Sequence, residues 1–149
     1  FSAGGHLAST AGTHFDAGNA EAADPVDRLS SRPDFMILVY PVISMMEGTT
    51  HLGSRVNLLG QHPSDELVRH YSNELQVTAE TPPTFLVHAA DDTTVPVQNS
   101  LLFHAALVAH KVPAELHVYP QGGHGFSFAF GKGRLQDWTQ LCARWLAEL

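Results

Sequence analysis

The chain opens Phe1-Ser2-Ala3-Gly4-Gly5-His6-Leu7-Ala8, and the reading of this stretch decides the fold. Ser2-Ala3-Gly4 corresponds to the S-x-G part of a G-x-S-x-G turn, in which a strand runs sharply into a helix and lifts a serine hydroxyl above a parallel sheet. The small neighbours have a mechanical purpose. A strained turn excludes bulk, and Gly4 and Gly5 let the helix approach the strand closely. The N–H of Ala3, at the start of that helix, is expected to point where negative charge would form on a reacting oxygen. Taken alone, S-x-G-G is a weak signal, because small residues also crowd ordinary turns. A serine of this kind needs a carboxylate after a later strand and a histidine after the last strand, in that order.

Working outward, Ala3 to about Phe15 predicts a helix, with Leu7, Ala11 and Phe15 as its apolar stripe. Residues 16–34 are rich in Ala, Asp, Ser and Gly and contain Asp24-Pro25 and Arg32-Pro33, a surface loop. Phe35-Met36-Ile37-Leu38-Val39-Tyr40, closed by Pro41, has the continuous apolar character of a strand buried on both faces. Residues 44–83 are irregular, with short helices expected at Arg55–Leu59 and at Ser64–Tyr71, where Ser64 caps. So long a segment between buried strands is expected to serve in part as a cap or lid over the site.

Thr84–His88 is the next buried strand, followed by a helix from Val97 to His110 with Val97, Leu101, Ala105 and Val108 on one side. Ala114–Tyr119 alternates, which suits a strand at or near a sheet edge. After a Gly-rich loop, Arg134–Leu149 predicts a last helix with Leu135, Trp138, Leu141, Cys142, Trp145 and Leu146 on one face. Strands alternating with helices mean an α/β chain with a parallel sheet flanked by helices.

Composition narrows the class of partner. The 149 residues carry 8 Lys plus Arg against 15 Asp plus Glu, a net charge of −7, which argues against a nucleic-acid or anionic-membrane surface. No apolar run approaches a membrane span. The single cysteine, Cys142, has no internal disulfide partner and is expected to be a buried, inert thiol. The histidines show no zinc-ligand spacing with a third ligand nearby, so neither metal nor cofactor is expected. His6 is expected to bond within its own helix, and His88 to be a polar strand-end residue, not a catalyst. Met45, Met46, Phe126 and Phe128 follow strand ends and are candidates for pocket lining or for simple packing.

In parallel sheets, functional residues collect beyond the carboxyl ends of the strands. Ser2, the Asp91-Asp92 pair and His124 are all expected at that end, in the order Ser…Asp…His. Either aspartate could be the acid, the other capping the next helix or bonding loop backbone. The three motifs Ser2-Ala3-Gly4-Gly5-His6-Leu7-Ala8, Asp91-Asp92-Thr93-Thr94-Val95-Pro96 and Gln121-Gly122-Gly123-His124-Gly125-Phe126 together resemble the α/β-hydrolase superfamily. Within it they are similar to bacterial esterases grouped with acetyl-xylan and feruloyl esterases.

The resemblance implies Ser2 as nucleophile, His124 as base, Asp91 as acid and Ala3 as one oxyanion-hole donor. It also implies a serine carboxylesterase whose substrate is a small ester, such as acetylated carbohydrate. A peptidase of the prolyl-oligopeptidase type or an amidase shares the pattern. A complete enzyme of this kind also has strands before the elbow and a His-Gly-Gly segment supplying the second oxyanion donor. Residues 1–149 are therefore expected to be the C-terminal half of one hydrolase domain, with an N-terminal half of roughly 100–150 residues as its partner. Without that half, a non-catalytic half-domain is the alternative.

Overall fold

The computed structural model describes residues 1–149. Three parallel strands form its sheet in the order β1 (Met36–Val39), β2 (Thr84–Ala89), β3 (Ala114–Tyr119). Met36 lies beside Thr84 and Thr84 beside Ala114, so all three strands start at one level, and β2 and β3 run two residues beyond the end of β1. The connections supply α1 (Ser2–Thr13) before β1, α2 (Leu52–Leu59) and α3 (Asp65–His70) between β1 and β2, and α4 (Gln98–Ala109) between β2 and β3. A 3-10 turn at Gly133–Asp137 leads into α5 (Trp138–Glu148).

The two-residue period of the strands divides the core into two layers. Met36, Leu38 and Leu86 face α1 and α4, where they meet Phe103, Leu107 and Val112. Val39, Phe85, Val87 and Ala89 face α5 and meet Trp138, Cys142 and Trp145. Both faces of β2 are thus covered, which is why that strand reads as an unbroken apolar run ended by a histidine. β3 pairs only with β2, as its alternating sequence predicts. The other edge of β1 has no strand partner within this chain, and beside it an apolar groove of about 410 Å³ is lined by Phe1, Ile37, Val39, Phe128, Trp138 and Leu146.

Two helices bury a different face from the one predicted. In α1 the buried residues are Gly5, His6, Ser9 and Gly12, while Leu7 is 73% exposed. The helix turns its small residues inward because it must lie directly against β1 and the chain that follows it. In α4, Asn99, Ser100, Phe103 and Leu107 are buried, whereas Leu101 and Val108 are 45% and 56% exposed. Asn99 explains the rotation. Its Oδ1 accepts from the N–H groups of Ile43 and Ser44, and its Nδ2 donates to Thr49 and Pro96 carbonyls, so the amide is fully satisfied only when buried.

Close approach at α1 makes a testable demand. A Cβ on Gly5 would stand 2.6 Å from Pro41 Cβ and 2.8 Å from Pro41 Cα, atoms of a rigid ring and backbone. A Cβ on Gly12 would meet only the flexible end of Met36, its Sδ and terminal methyl. Gly5→Ala is expected to destabilise the fold by about 2 kcal/mol through overpacking. In Gly12→Ala, movement of Met36 and the gain of about 1 kcal/mol in helix propensity leave a smaller change. Denaturant unfolding of the two variants measures the difference.

Candidate active site

Ser2 begins α1 with φ +49°, a left-handed conformation that side chains other than glycine rarely adopt. Its carbonyl accepts from the N–H of Val42, which ties the turn to the chain leaving β1. Gly5 N donates to Phe1 O in the first turn, so the N–H of Ala3 has no acceptor within the helix and is free for a ligand. Strain at the serine and a free donor beside it are the two features that an exposed nucleophile requires.

Ser2 Oγ lies 2.8 Å from His124 Nε2. On the other side of the ring, His124 Nδ1 lies 2.7 Å from Oδ2 of Asp92. The carboxylate only accepts, so Nδ1 carries the proton and Nε2 is free to accept from the serine hydroxyl. Oδ1 of Asp92 accepts from the backbone N–H groups of Thr94 and Val95, each at 2.9 Å. Burial pushes the Asp92 carboxyl up, but the bond from His124 and those from Val95 and Thr94 outweigh it and hold the group below its ordinary value.

The carboxylate that meets His124 is therefore that of Asp92, one residue beyond the expected Asp91. Asp91 is exposed and turns away, its Oδ1 accepting from Gly122 N at 2.9 Å and Gly123 N at 2.8 Å. Adjacent residues in the turn that leaves β2 point in opposite directions, so one carboxylate meets the imidazole ring and the other pins the loop that carries it. Bonding loop backbone is the role expected of whichever aspartate is not the acid. In that loop Gly123 and Gly125 have φ of +61° and +75°, which brings His124 around toward Ser2.

Tyr40 is a site residue that the sequence did not single out. It follows β1 directly, with φ +39°, and is buried. Its ring packs edge-on to His124 at 4.8 Å and to Phe126 at 4.6 Å between centroids. Its hydroxyl accepts from Ser127 N at 3.1 Å, so Tyr40 braces both the imidazole and the loop. The only signal was a tyrosine between an apolar run and Pro41, and that has no specific meaning in sequence.

The segment 44–83 packs along the flank of α1. Asn73 Nδ2 donates to Ser9 Oγ at 2.7 Å, and His6 bonds through Nε2 to the Tyr71 carbonyl at 2.8 Å. His6 thus reaches across to another segment; within its own helix it meets only Thr10 Oγ1, at 3.5 Å. Ser64 caps α3 as predicted, accepting from Leu67 N. Between α1 and this segment lies a cavity of about 360 Å³ bordered by Ala3, Leu7, Met45, Asn57, Leu58 and Tyr71. Of the other candidate lining residues, Phe126 is core, Phe128 faces the β1 groove, and Met46 borders neither space.

Cys142 is buried under β2, where burial and then the charge of Glu115 push its thiol up. No three His, Cys, Asp or Glu side chains are grouped as metal ligands. No helix is long and apolar enough to cross a membrane.

Residues 30–149 match the sequence profile of the Prolyl oligopeptidase family. The chain is 43% identical over 132 residues to "Endo-1,4-beta-xylanase B" of Butyrivibrio fibrisolvens, covering 87% of this chain and 20% of that protein. It is 37% identical over 153 aligned positions to the "Acetylxylan esterase" of Xylanibacter ruminicola, covering 100% of this chain and 29% of the relative. Among solved structures, the acetyl ester-xyloside bifunctional hydrolase of Caldicellulosiruptor lactoaceticus superimposes with a TM-score of 0.97 at 51% identity, covering 99% of this chain and 54% of that one. The chain thus spans about half or less of the length of these relatives.

Proposed function

The chain belongs to the Prolyl oligopeptidase family of α/β-hydrolases, and on that premise we propose that it carries the catalytic triad of a serine esterase acting on small acyl esters, such as acetyl groups, on carbohydrate. The observation that carries this reading is the unbroken line Ser2 Oγ, His124, Asp92 at 2.8 and 2.7 Å. Preference for a carbohydrate ester over a peptide is supported by the acetylxylan esterase and the acetyl ester-xyloside hydrolase, each aligned over nearly all of this chain.

In the proposed reaction Ser2 Oγ attacks the acyl carbon as His124 Nε2 takes its proton. The carbonyl oxygen becomes an oxyanion at the Ala3 N–H, a donor whose loss typically costs about 10²–10³ in rate. Collapse breaks the bond to the alcohol oxygen, which leaves with the proton from Nε2. Acyl-Ser2 is then attacked by water, which gives a proton to the same nitrogen, and the carboxylic acid departs as Ser2 recovers its hydrogen. The cavity that starts at Ala3 is proposed to receive the group flanking the ester, with segment 44–83 as its wall. The unpaired edge of β1 and its apolar groove are proposed to be covered by further strands of the same fold, the N-terminal half.

The test compares release of acetate from acetylated xylo-oligosaccharides with cleavage of a chromogenic prolyl peptide by the full-length protein. A kcat/KM for the acetyl ester at least 10²-fold above that for the peptide supports the reading. The reverse order would replace it with a peptidase.

A further inference from the structure

His88, the next-to-last residue of β2, has a fully buried side chain, 0% exposed, and takes no part in the reaction just described. Its Nε2 lies 3.0 Å from the Val95 carbonyl and 3.3 Å from Oδ2 of Asp92, the oxygen that also receives His124 Nδ1. Its Nδ1 lies 2.8 Å from Ser100 Oγ on α4. A carbonyl only accepts, so Nε2 must carry hydrogen. Nδ1 is then the acceptor, and the Ser100 hydroxyl donates to it. Each atom of the buried ring has one consistent role, and the ring is neutral in that arrangement.

From this geometry we infer that His88 is a positioning residue for the acid: its Nε2–H, hydrogen-bonded to the Val95 carbonyl, sets a fixed dipole beside Oδ2 of Asp92 that steadies this oxygen against His124, and Ser100 sets the tautomer that lets it do so. This rests on the reading of Ser2, His124 and Asp92 as a triad. Asp92 thus accepts three hydrogen bonds, from Thr94 N and Val95 N on one oxygen and from His124 on the other, and His88 Nε2 lies 3.3 Å from that second oxygen. A carboxylate held by three hydrogen bonds and a neighbouring N–H dipole has one orientation, and the imidazole bonded to it inherits that orientation.

The titratable groups facing His88 are Asp92, in the loop after its own strand, and His124, in the loop after β3. From α4 it meets the uncharged Ser100. Burial disfavours the imidazolium, more than the Val95 carbonyl and Asp92 favour it, so the ring remains neutral where an ordinary histidine gains a proton.

The experiment uses the full-length protein. In ¹⁵N-histidine NMR of the wild type, His88 is expected to show the neutral Nε2–H tautomer from pH 5 to 8; the Nδ1–H tautomer, or titration in that range, would overturn the inference without touching the triad. His88→Phe keeps the ring volume and removes the donor. It is expected to lower kcat about tenfold and to move the acidic limb of the kcat/KM profile upward, because Oδ2, without the N–H dipole beside it, draws more strongly on the His124 proton. His88→Gln, which can place an N–H near the same point, is expected to recover most of the lost rate and the original limb. A His88→Phe enzyme with lowered melting temperature but an unmoved limb would reduce His88 to packing. Absence of esterase activity in the wild type would instead strike the triad reading, and the NMR result would stand apart from it.

Discussion

Ser2→Ala is expected to abolish hydrolysis, lowering kcat on the order of 10⁶-fold, and to remove labelling of this chain by a fluorophosphonate. The same position should separate activity from stability. Ser2 holds φ +49°, and a left-handed conformation costs a residue with a Cβ about 1–2 kcal/mol. Alanine keeps that strain, so its melting temperature should match the wild type. Glycine relieves it, against a chain-entropy cost of roughly 0.5–1 kcal/mol. Ser2→Gly is therefore expected to be inactive and slightly more stable. Intact-mass analysis after probe treatment, with thermal melts of the three proteins, measures both. A fluorophosphonate adduct that persists in Ser2→Ala would move the nucleophile elsewhere.

Asp92→Asn is expected to lower kcat about 10⁴-fold. Its amide can donate to His124 Nδ1, which turns the ring into the tautomer with the proton on Nε2, where it can no longer accept from Ser2. Asp91→Asn should stay within a few-fold of the wild type, because an amide oxygen still accepts from Gly122 N and Gly123 N. Burial pushes the Asp92 carboxyl up, but the bonds from His124, Val95 and Thr94 hold it below its ordinary value, so it is ionised near neutral pH. Loss of activity in the Asp91 variant with retention in the Asp92 variant would return the acid to the first aspartate. The steady-state comparison of two adjacent substitutions needs no knowledge of the natural substrate, since any activated acetyl ester reports it.

The resemblance to α/β-hydrolases of the acetyl-xylan esterase group is borne out by the family match and by the relatives reported above. It was legible because it lay in short-range patterns. Phe35–Tyr40 and Thr84–His88 are apolar runs too short for typical helices, and only a strand covered on both faces needs such a run. The three motifs stand just beyond strand ends or inside a glycine-rich turn, where the backbone itself demands particular residues. Local chemistry of this kind is written in consecutive residues.

Other features were hidden because their partners are remote in sequence. Asn73 and Asn99 carry no signal in the sequence, yet one ties segment 44–83 to α1 and the other ties the chain after β1 to α4. Tyr40 gains a role only when the loop after β3 folds back onto its ring. The apolar stripes drawn on α1 and α4 missed the buried face because tight approach to the sheet, at Gly5 and Gly12, and a satisfied buried amide, at Asn99, outweigh the count of hydrophobic side chains.

By itself the sequence determined that this is a parallel α/β chain and that a serine, an aspartate pair and a histidine emerge in that order at one end of the sheet. Strand periodicity and turn chemistry are properties of neighbouring residues, so no third dimension is needed to see them. Only the tertiary structure decided that Asp92, not Asp91, meets His124, and that His88 stands behind it. Side chains one residue apart in a turn point in opposite directions, and which of them finds the imidazole depends on where a loop thirty residues away comes to rest.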